Sequence, residues 1–330
     1  PNRETPIRAR MVAVDAADSS KEVEAHSILA KNLERNFLLL DLAADQCPNV
    51  HRFRGAVEID TLADDIGLSP YARRIQKVLD NEVVQRNSPK WKQLETGIDH
   101  VVMYEEFPGK SLFENFELLK SLTPEQRYSM FAQMCRAVHT LHNIQIPKDY
   151  VGFDEPTVSL IHHDISPNNF LIRKPASDID HSFIVLSDFE SATPLNESPM
   201  VKSETGGTFL NRWYAPLSFA NPEHRAAIWE DLHELSYSIG DIFLLIEGDY
   251  TFATIPREQP SFQVKRIKEE SDRNYYARIS DMNSELAYIL RIANNRREND
   301  LSIKDWWNNY IEPVLREYYQ VQESARISIP

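Results

Sequence analysis

The chain has 330 residues, 42% hydrophobic and 26% charged, enough apolar material for a packed globule of one large or two ordinary domains rather than a disordered chain. Its 50 acidic against 36 basic side chains give a net charge of −14, which argues against sequence-independent nucleic-acid binding and against docking on anionic membranes, since both need a basic face. Cys47 and Cys135 are too few for a disulfide framework or a structural zinc site; with no signal-like segment and no apolar run near the ~20 residues of a membrane helix, the expected location is cytoplasmic or nuclear, without membrane insertion.

Residues 7–15 predict a short strand, and residues 20–45 a helix whose apolar positions recur near a 3.6 period. Gln46, Cys47, Pro48 and Asn49 stop that helix, and residues 50–59 predict the next strand. Residues 60–95 read as a polar helical insertion bounded by Ser88 and Pro89, and residues 100–107 as a strand leading to Pro108 and Gly109. Ser111 and Glu114 form a capping box that opens a short helix. Thr123 and Gln126 repeat the device, with Pro124 at the first helical position. The helix they open carries Met130, Phe131, Met134, Val138 and Leu141 on one face, so that face is expected in the core, with both methionines packing there. From Thr157 the pattern turns to short strands at 157–162, 170–173 and 182–187, then a long loop over 190–220. Helices dominate the remainder, notably 225–246 and 284–295, and an aromatic-rich terminal segment beginning Asp305, Trp306, Trp307 is expected to pack on the body. The composition divides into a smaller α+β part up to about residue 103 and a larger, mainly helical part after it.

The chemistry concentrates in residues 160–190. Asn169 starts a strand, the chain turns through Lys174 to His181, and the next strand ends at Asp188. An antiparallel hairpin returns to its origin, so Asn169 and Asp188 are expected side by side at one end, with Asp164 in the loop just before. Two carboxylates and an amide oxygen are hard ligands of the kind that hold Mg²⁺ together with substrate phosphates.

The string His162, His163, Asp164, four residues, Asn169, with Asp188-Phe189-Glu190 after the hairpin, resembles the catalytic loop and metal motif of protein kinases. The resemblance extends to Arg212–Pro216 as the end of an activation segment and to Trp229–Leu235 as the start of the large lobe's central helix. It implies a two-lobed α+β fold, with a reduced N-lobe at 1–103 and a C-lobe at 104–330 carrying catalytic loop, metal motif and activation segment. It implies Asp164 as the base accepting the substrate hydroxyl proton, and Asn169 and Asp188 as Mg²⁺ ligands against the phosphates of ATP. By the same resemblance Met103, Glu105 and Phe107 lie on the hinge that bonds adenine, Ser166 stands near the transferring phosphate where a lysine is usual, and Asp231 bonds the catalytic-loop backbone. His162 is expected as a packed structural histidine, His163 on the surface. The implied activity is phosphoryl transfer to Ser or Thr of a protein, and the variations are most similar to divergent fungal protein-kinase-like sequences.

The small lobe departs from that pattern. No glycine precedes Asp15, and the string Met11-Val12-Ala13-Val14-Asp15 puts an acid where a phosphate-binding lysine is usual, which repels a triphosphate. Glu22, Glu24 and Glu34 are equivalent candidates for the glutamate that would pair with such a lysine. In the large lobe His163 replaces an arginine, Glu190 a glycine and Leu217 a glutamate. Two further readings therefore stand beside the active kinase. One is a pseudokinase that binds or scaffolds protein partners. The other is a small-molecule phosphotransferase, whose members share the His-x-Asp pattern and an Asp-aromatic-Glu string like Asp188-Phe189-Glu190.

Overall fold

The computed structural model describes residues 7–13, 39–51, 53–59, 100–106, 109–148, 155–173, 184–197, 225–248, 272–295 and 301–330. The chain is mixed α+β, mostly helical, with small antiparallel sheets. It divides into two compact units, Pro1–Asp45 with His51–Pro108, and Gln46–Val50 with Gly109–Pro330.

In the first unit, β1 (Ile7–Ala13), β2 (Phe53–Ile59) and β3 (His100–Glu106) form a sheet with β3 in the middle, antiparallel to both neighbours. The register sets Ile7 against Glu106 and Ala13 against His100. β2 is irregular between Phe53 and Gly55, where glycine tolerates the local kink. Residues 39–46 are helical and stop before Cys47 and Pro48, where the sequence places the break. Asp15, Glu22, Glu24, Glu34 and the insertion expected at 60–95 lie outside the described residues.

The second unit opens with a short 3₁₀ turn (Phe113–Asn115) and α1 (Phe116–Ser121). Both arms of the expected capping box are made: Ser111 Oγ accepts from the Glu114 N–H at 3.2 Å, and the Glu114 carboxylate accepts from the Ser111 N–H at 3.1 Å. Gly109 is required just before it. A Cβ there would lie 2.2 Å from the carbonyl oxygen of Ile172, and the backbone runs at φ +156°. α2 (Pro124–His142) carries the second capping box, closed by Thr123 and Gln126. Its expected apolar stripe is fully buried, both methionines included. Ala132, Gln133, Cys135 and Ala137 are buried too, so α2 is enclosed on more than one side.

Three strand pairs lie between α2 and the next helix: β4 (Ile144–Gln145) with β5 (Thr157–Val158), β6 (Leu160–Ile161) with β9 (Thr193–Pro194), and β7 (Phe170–Ile172) with β8 (Ile184–Leu186). α3 (Ile228–Glu247) runs through the core and is buried over most of its length. α4 (Asp272–Met282) and α5 (Ser284–Asn295) pack on α3 and on each other. Sequence reading does not separate α4 from its surroundings, because its buried residues are Tyr275, Tyr276 and Ile279 on an otherwise polar segment. The aromatic C-terminal segment packs on the body as expected, through α6 (Ile303–Trp306), a π turn (Trp307–Ile311) and α7 (Glu312–Tyr318), with Trp306 and Trp307 buried. Trp307 Nε1 donates to the carbonyl of Ile327 at 2.8 Å, tying down the chain end. Within the loop expected at 190–220, residues 189–191 form a 3₁₀ turn and 193–194 pair as β9, while residues 198–224, including Arg212–Pro216 and Leu217, lie outside the described residues. No helix among the described residues is long and apolar enough to cross a membrane.

Candidate functional site

The site is built where the β7–β8 hairpin meets the loop that follows β6. Pairing of Phe170 with Leu186 and of Ile172 with Ile184 brings the start of β7 beside the end of β8. One step beyond the ladder, the Ser187 N–H and Oγ both donate to the carbonyl of Asn169, at 2.8 and 3.0 Å. Asp188 follows immediately, in the left-handed region at φ 70°. An aspartate enters that region more readily than most residues. The 3₁₀ turn at residues 189–191 is open to any L-residue, so Glu190 meets no backbone penalty there.

The loop itself is a closed turn. The Asn169 N–H donates to the carbonyl of Ser166 at 2.9 Å, and the Asn169 amide nitrogen donates to the backbone carbonyl of Asp164 at 2.8 Å and to its carboxylate at 2.9 Å. The nitrogen of Asn169 is thus committed to Asp164, and its Oδ1 is the end of the amide left to act as a ligand. Ser166 is buried at the base of the turn. Asp164 is half-buried, as is Asp188.

Below the loop lies a buried polar layer contributed by α3. Asp231 is fully buried and accepts from the N–H groups of His162 at 2.9 Å and His163 at 3.0 Å, the backbone bond expected of it. His142 Nε2 lies 2.8 Å from its other side. Burial alone would raise the Asp231 carboxyl, but the hydrogen bond and electrostatic attraction of His142, then the attraction of the His162 and His163 rings, outweigh it and hold the group below the ordinary carboxylate range. His162 is packed as expected: its ring meets the Phe189 ring edge-on at 5.0 Å, and Nε2 donates to the Ser187 carbonyl at 3.0 Å. Its Nδ1 accepts the Asp164 N–H at 3.2 Å, and burial lowers its basicity, so the neutral Nε2–H tautomer fits both bonds.

His163 corrects the sequence reading, which puts it on the surface. The backbone takes φ 64° at this residue and the ring turns into the protein, 0% exposed, with Nδ1 3.4 Å from a carboxylate oxygen of Glu230. The sequence offers no sign of this, because a left-handed turn at a histidine leaves no periodic signal. Glu230 is also fully buried, and its carboxyl accepts the Ala227 N–H at 3.0 Å at the start of α3. Burial pushes the Glu230 carboxyl up to about 8.

Several further residues that hold the site escape the sequence reading. Glu234, one turn after Glu230, accepts the Ile165 N–H at 2.7 Å. Ser238, one turn further, donates to the Ile165 carbonyl at 3.1 Å. Ser191 Oγ donates to the His162 carbonyl at 2.9 Å. The hairpin is fixed from its other side by Asn49, whose side-chain amide donates to Gln133 Oε1 at 3.0 Å and to the Ile184 carbonyl at 2.8 Å. The same Gln133 oxygen accepts the Ile184 N–H at 2.9 Å. The available signal was the polar set 230, 231, 234 and 238, recurring at three- and four-residue spacing along the helix. Polar side chains three and four apart on a buried face must each find a partner.

Asp164, Ser166, Asn169 and Asp188 therefore gather in the second unit. Met103 and Glu105 sit on the central strand of the first unit, opposite Arg10 and Ala56 and opposite Arg8 and Phe53 respectively, while Phe107 lies outside the described residues. Among the described residues no cluster of three or more His, Cys, Asp and Glu side chains is arranged to hold a metal. A cation at the hairpin mouth would rest on carboxylates and one amide oxygen, with phosphate or water completing its shell, the composition that suits Mg²⁺ rather than zinc. No protein-family model matches the chain, and no curated protein matches it.

Proposed function

We propose that this chain is a protein-kinase-like phosphotransfer domain of two lobes that takes ATP and Mg²⁺ and transfers phosphate to Ser or Thr of a protein. The observation that carries the reading is the bond from the Asn169 amide to the Asp164 carboxylate, with Ser187, the neighbour of Asp188, bonded to the Asn169 carbonyl, on a loop whose backbone is bonded to the buried carboxylate of Asp231. Asp188 and Asn169 Oδ1 are the residues that would hold Mg²⁺, which supplies neutralisation of phosphate charge when bound. Asp164 accepts the proton of the attacking hydroxyl, oriented by the amide of Asn169 at 2.9 Å and by its own N–H on His162 at 3.2 Å. Ser166 stands close to the transferring phosphate, and Met103, Glu105 and Phe107 supply the adenine hinge.

A second reading, a pseudokinase that binds nucleotide poorly or not at all and serves as a scaffold, is favoured by one observation of the sequence: Asp15 stands where a cation is usual. Loss of a single donor to transition-state charge costs about 10²–10³ in rate, so this departure bears on turnover before it bears on the fold.

The test pairs binding with transfer. Mg-ATP at 100 times its Kd should stabilise the protein by about 2.7 kcal/mol. Asp188→Asn should lose the Mg²⁺-dependent part of that shift, and Asp164→Asn should keep it while losing transfer to protein hydroxyls. Binding without transfer in the parent chain supports the pseudokinase. Neither binding nor transfer in the full chain overturns the nucleotide reading altogether.

A further inference from the structure

Asp164 is flanked by two anchored residues, and the anchors come from a single helix. On its N-terminal side the N–H groups of His162 and His163 end on Asp231. On its C-terminal side both backbone groups of Ile165 are taken: the N–H by the Glu234 carboxyl at 2.7 Å, the carbonyl by the Ser238 hydroxyl at 3.1 Å. Glu234 and Ser238 are fully buried, and the Ser238 hydroxyl also lies 2.9 Å from the Glu234 carbonyl, in a back-bond along α3. Asp231, Glu234 and Ser238 are spaced by three and four, so they form one ridge of α3 beneath the loop.

A glutamate in that ridge is costly unless its position matters. Its carboxyl is enclosed, with Asp231 and Asp164 close enough to oppose a further negative charge. Burial first, then those two carboxylates, push it well above the usual range. An apolar side chain of the same length would fill the space and leave the Ile165 N–H buried without an acceptor.

We propose that Glu234 is a positioning residue for Asp164: together with Ser238 it clamps the peptide groups of Ile165 to α3 and so fixes the direction in which the Asp164 carboxylate leaves the loop. The inference rests on the reading of Asp164 as the proton acceptor, but the clamp is measurable without turnover. The experiment is residue-resolved hydrogen exchange of the full chain, parent against Glu234→Met and Glu234→Gln. The parent Ile165 amide should be protected about 100-fold or more against the unfolded rate. Glu234→Met, which keeps volume and removes the acceptor, should speed Ile165 exchange about tenfold or more while the His162 and His163 amides on Asp231 stay within about threefold of the parent. Glu234→Gln, which keeps an acceptor oxygen, should restore Ile165 to near the parent rate.

An unprotected Ile165 amide in the parent overturns the proposal without need of a variant, so a Met variant that fails to fold does not shield it. Equal exchange in the Met variant and the parent, or equally fast exchange in the Gln and Met variants, overturns it too. Where the parent transfers phosphate, Glu234→Met should lower kcat about tenfold or more with KM for ATP nearly unchanged, because Glu234 reaches only the loop of the base. A fall in KM-linked binding with kcat intact contradicts a positioning role. A parent inert towards ATP whose exchange pattern holds removes the phosphotransfer reading and leaves the clamp established.

Discussion

Replacing Asp231 separates the buried layer from the site above it. Asp231→Ala removes the acceptor for three donors at once: His142 Nε2 at 2.8 Å, the His162 N–H at 2.9 Å and the His163 N–H at 3.0 Å. Hydrogen bonds to a charged group contribute about 1.5–3 kcal/mol each, and breaking a buried charged pair costs about 3–5 kcal/mol. The expected loss is therefore about 4–6 kcal/mol, a large fraction of the ~5–15 kcal/mol that holds a typical domain folded. Asp231→Asn should be milder. In the parent, Oδ1 faces both loop N–H groups, at 3.1 and 3.0 Å, and an amide oxygen can keep that role. The bonds that Oδ2 accepts, from His142 Nε2 and from the His162 N–H, are lost while both loop N–H groups keep Oδ1, at about 1–3 kcal/mol. Urea denaturation followed by the fluorescence of the buried Trp306 and Trp307 reports on the same unit. The reasoning fails if Ala costs less than about 1 kcal/mol, or if Asn costs as much as Ala.

Other perturbations probe separate parts of the unit. Because Glu230 rises from 4.5 to about 8 on folding, the unfolded chain ionises it first, and its stabilising effect declines above about pH 4.5 and is gone once pH has risen through about 8; urea midpoints should fall between about pH 4.5 and 8 by this group, and Glu230→Gln should flatten that fall. His162 acts in the opposite direction: burial depresses it below 6.5, so its contribution is lost as pH drops below that value, and acid titration of the folded chain should show a second decline on that side. Gly240→Ala should cost about 1–3 kcal/mol by overpacking, since a Cβ would lie 2.3 Å from the Tyr275 hydroxyl; an unchanged melting temperature would contradict the packing of α4 on α3. Asn49→Leu should cost about 2–4 kcal/mol by leaving Gln133 and the Ile184 carbonyl without their shared donor, and native-state exchange of the Ile184 amide should rise with it.

Much of the local structure was legible in the residue order. Capping at Ser111 and Thr123 and the apolar stripe of α2 follow from side-chain chemistry within a few residues. So does the β7–β8 hairpin, and all are present. The sequence reading expects Asn169 beside Asp188, because a hairpin must return to its origin, and the bond to the Asn169 carbonyl is made one residue earlier, by Ser187. α4 was hidden because its buried face is made of tyrosines, whose polar ends and apolar rings give no clear period. The burial of His163 was hidden because a single left-handed residue redirects a side chain without altering the pattern around it.

By itself the sequence determined which side chains carry oxygen at 164, 169 and 188 and that a short ribbon brings the last two together, since those are consequences of bonds made within some twenty residues. Tertiary structure alone decided what stands beneath them. Asp231, Glu234 and Ser238 reach the loop across separations of 68 to 73 residues, Asn49 reaches the hairpin across 135, and no local rule of propensity or spacing encodes which buried donor meets which buried acceptor. The physical cause is the cost of leaving any of them unpaired: once α3 is buried by its apolar neighbours, every polar group on that face must be matched by the segment that lands on it.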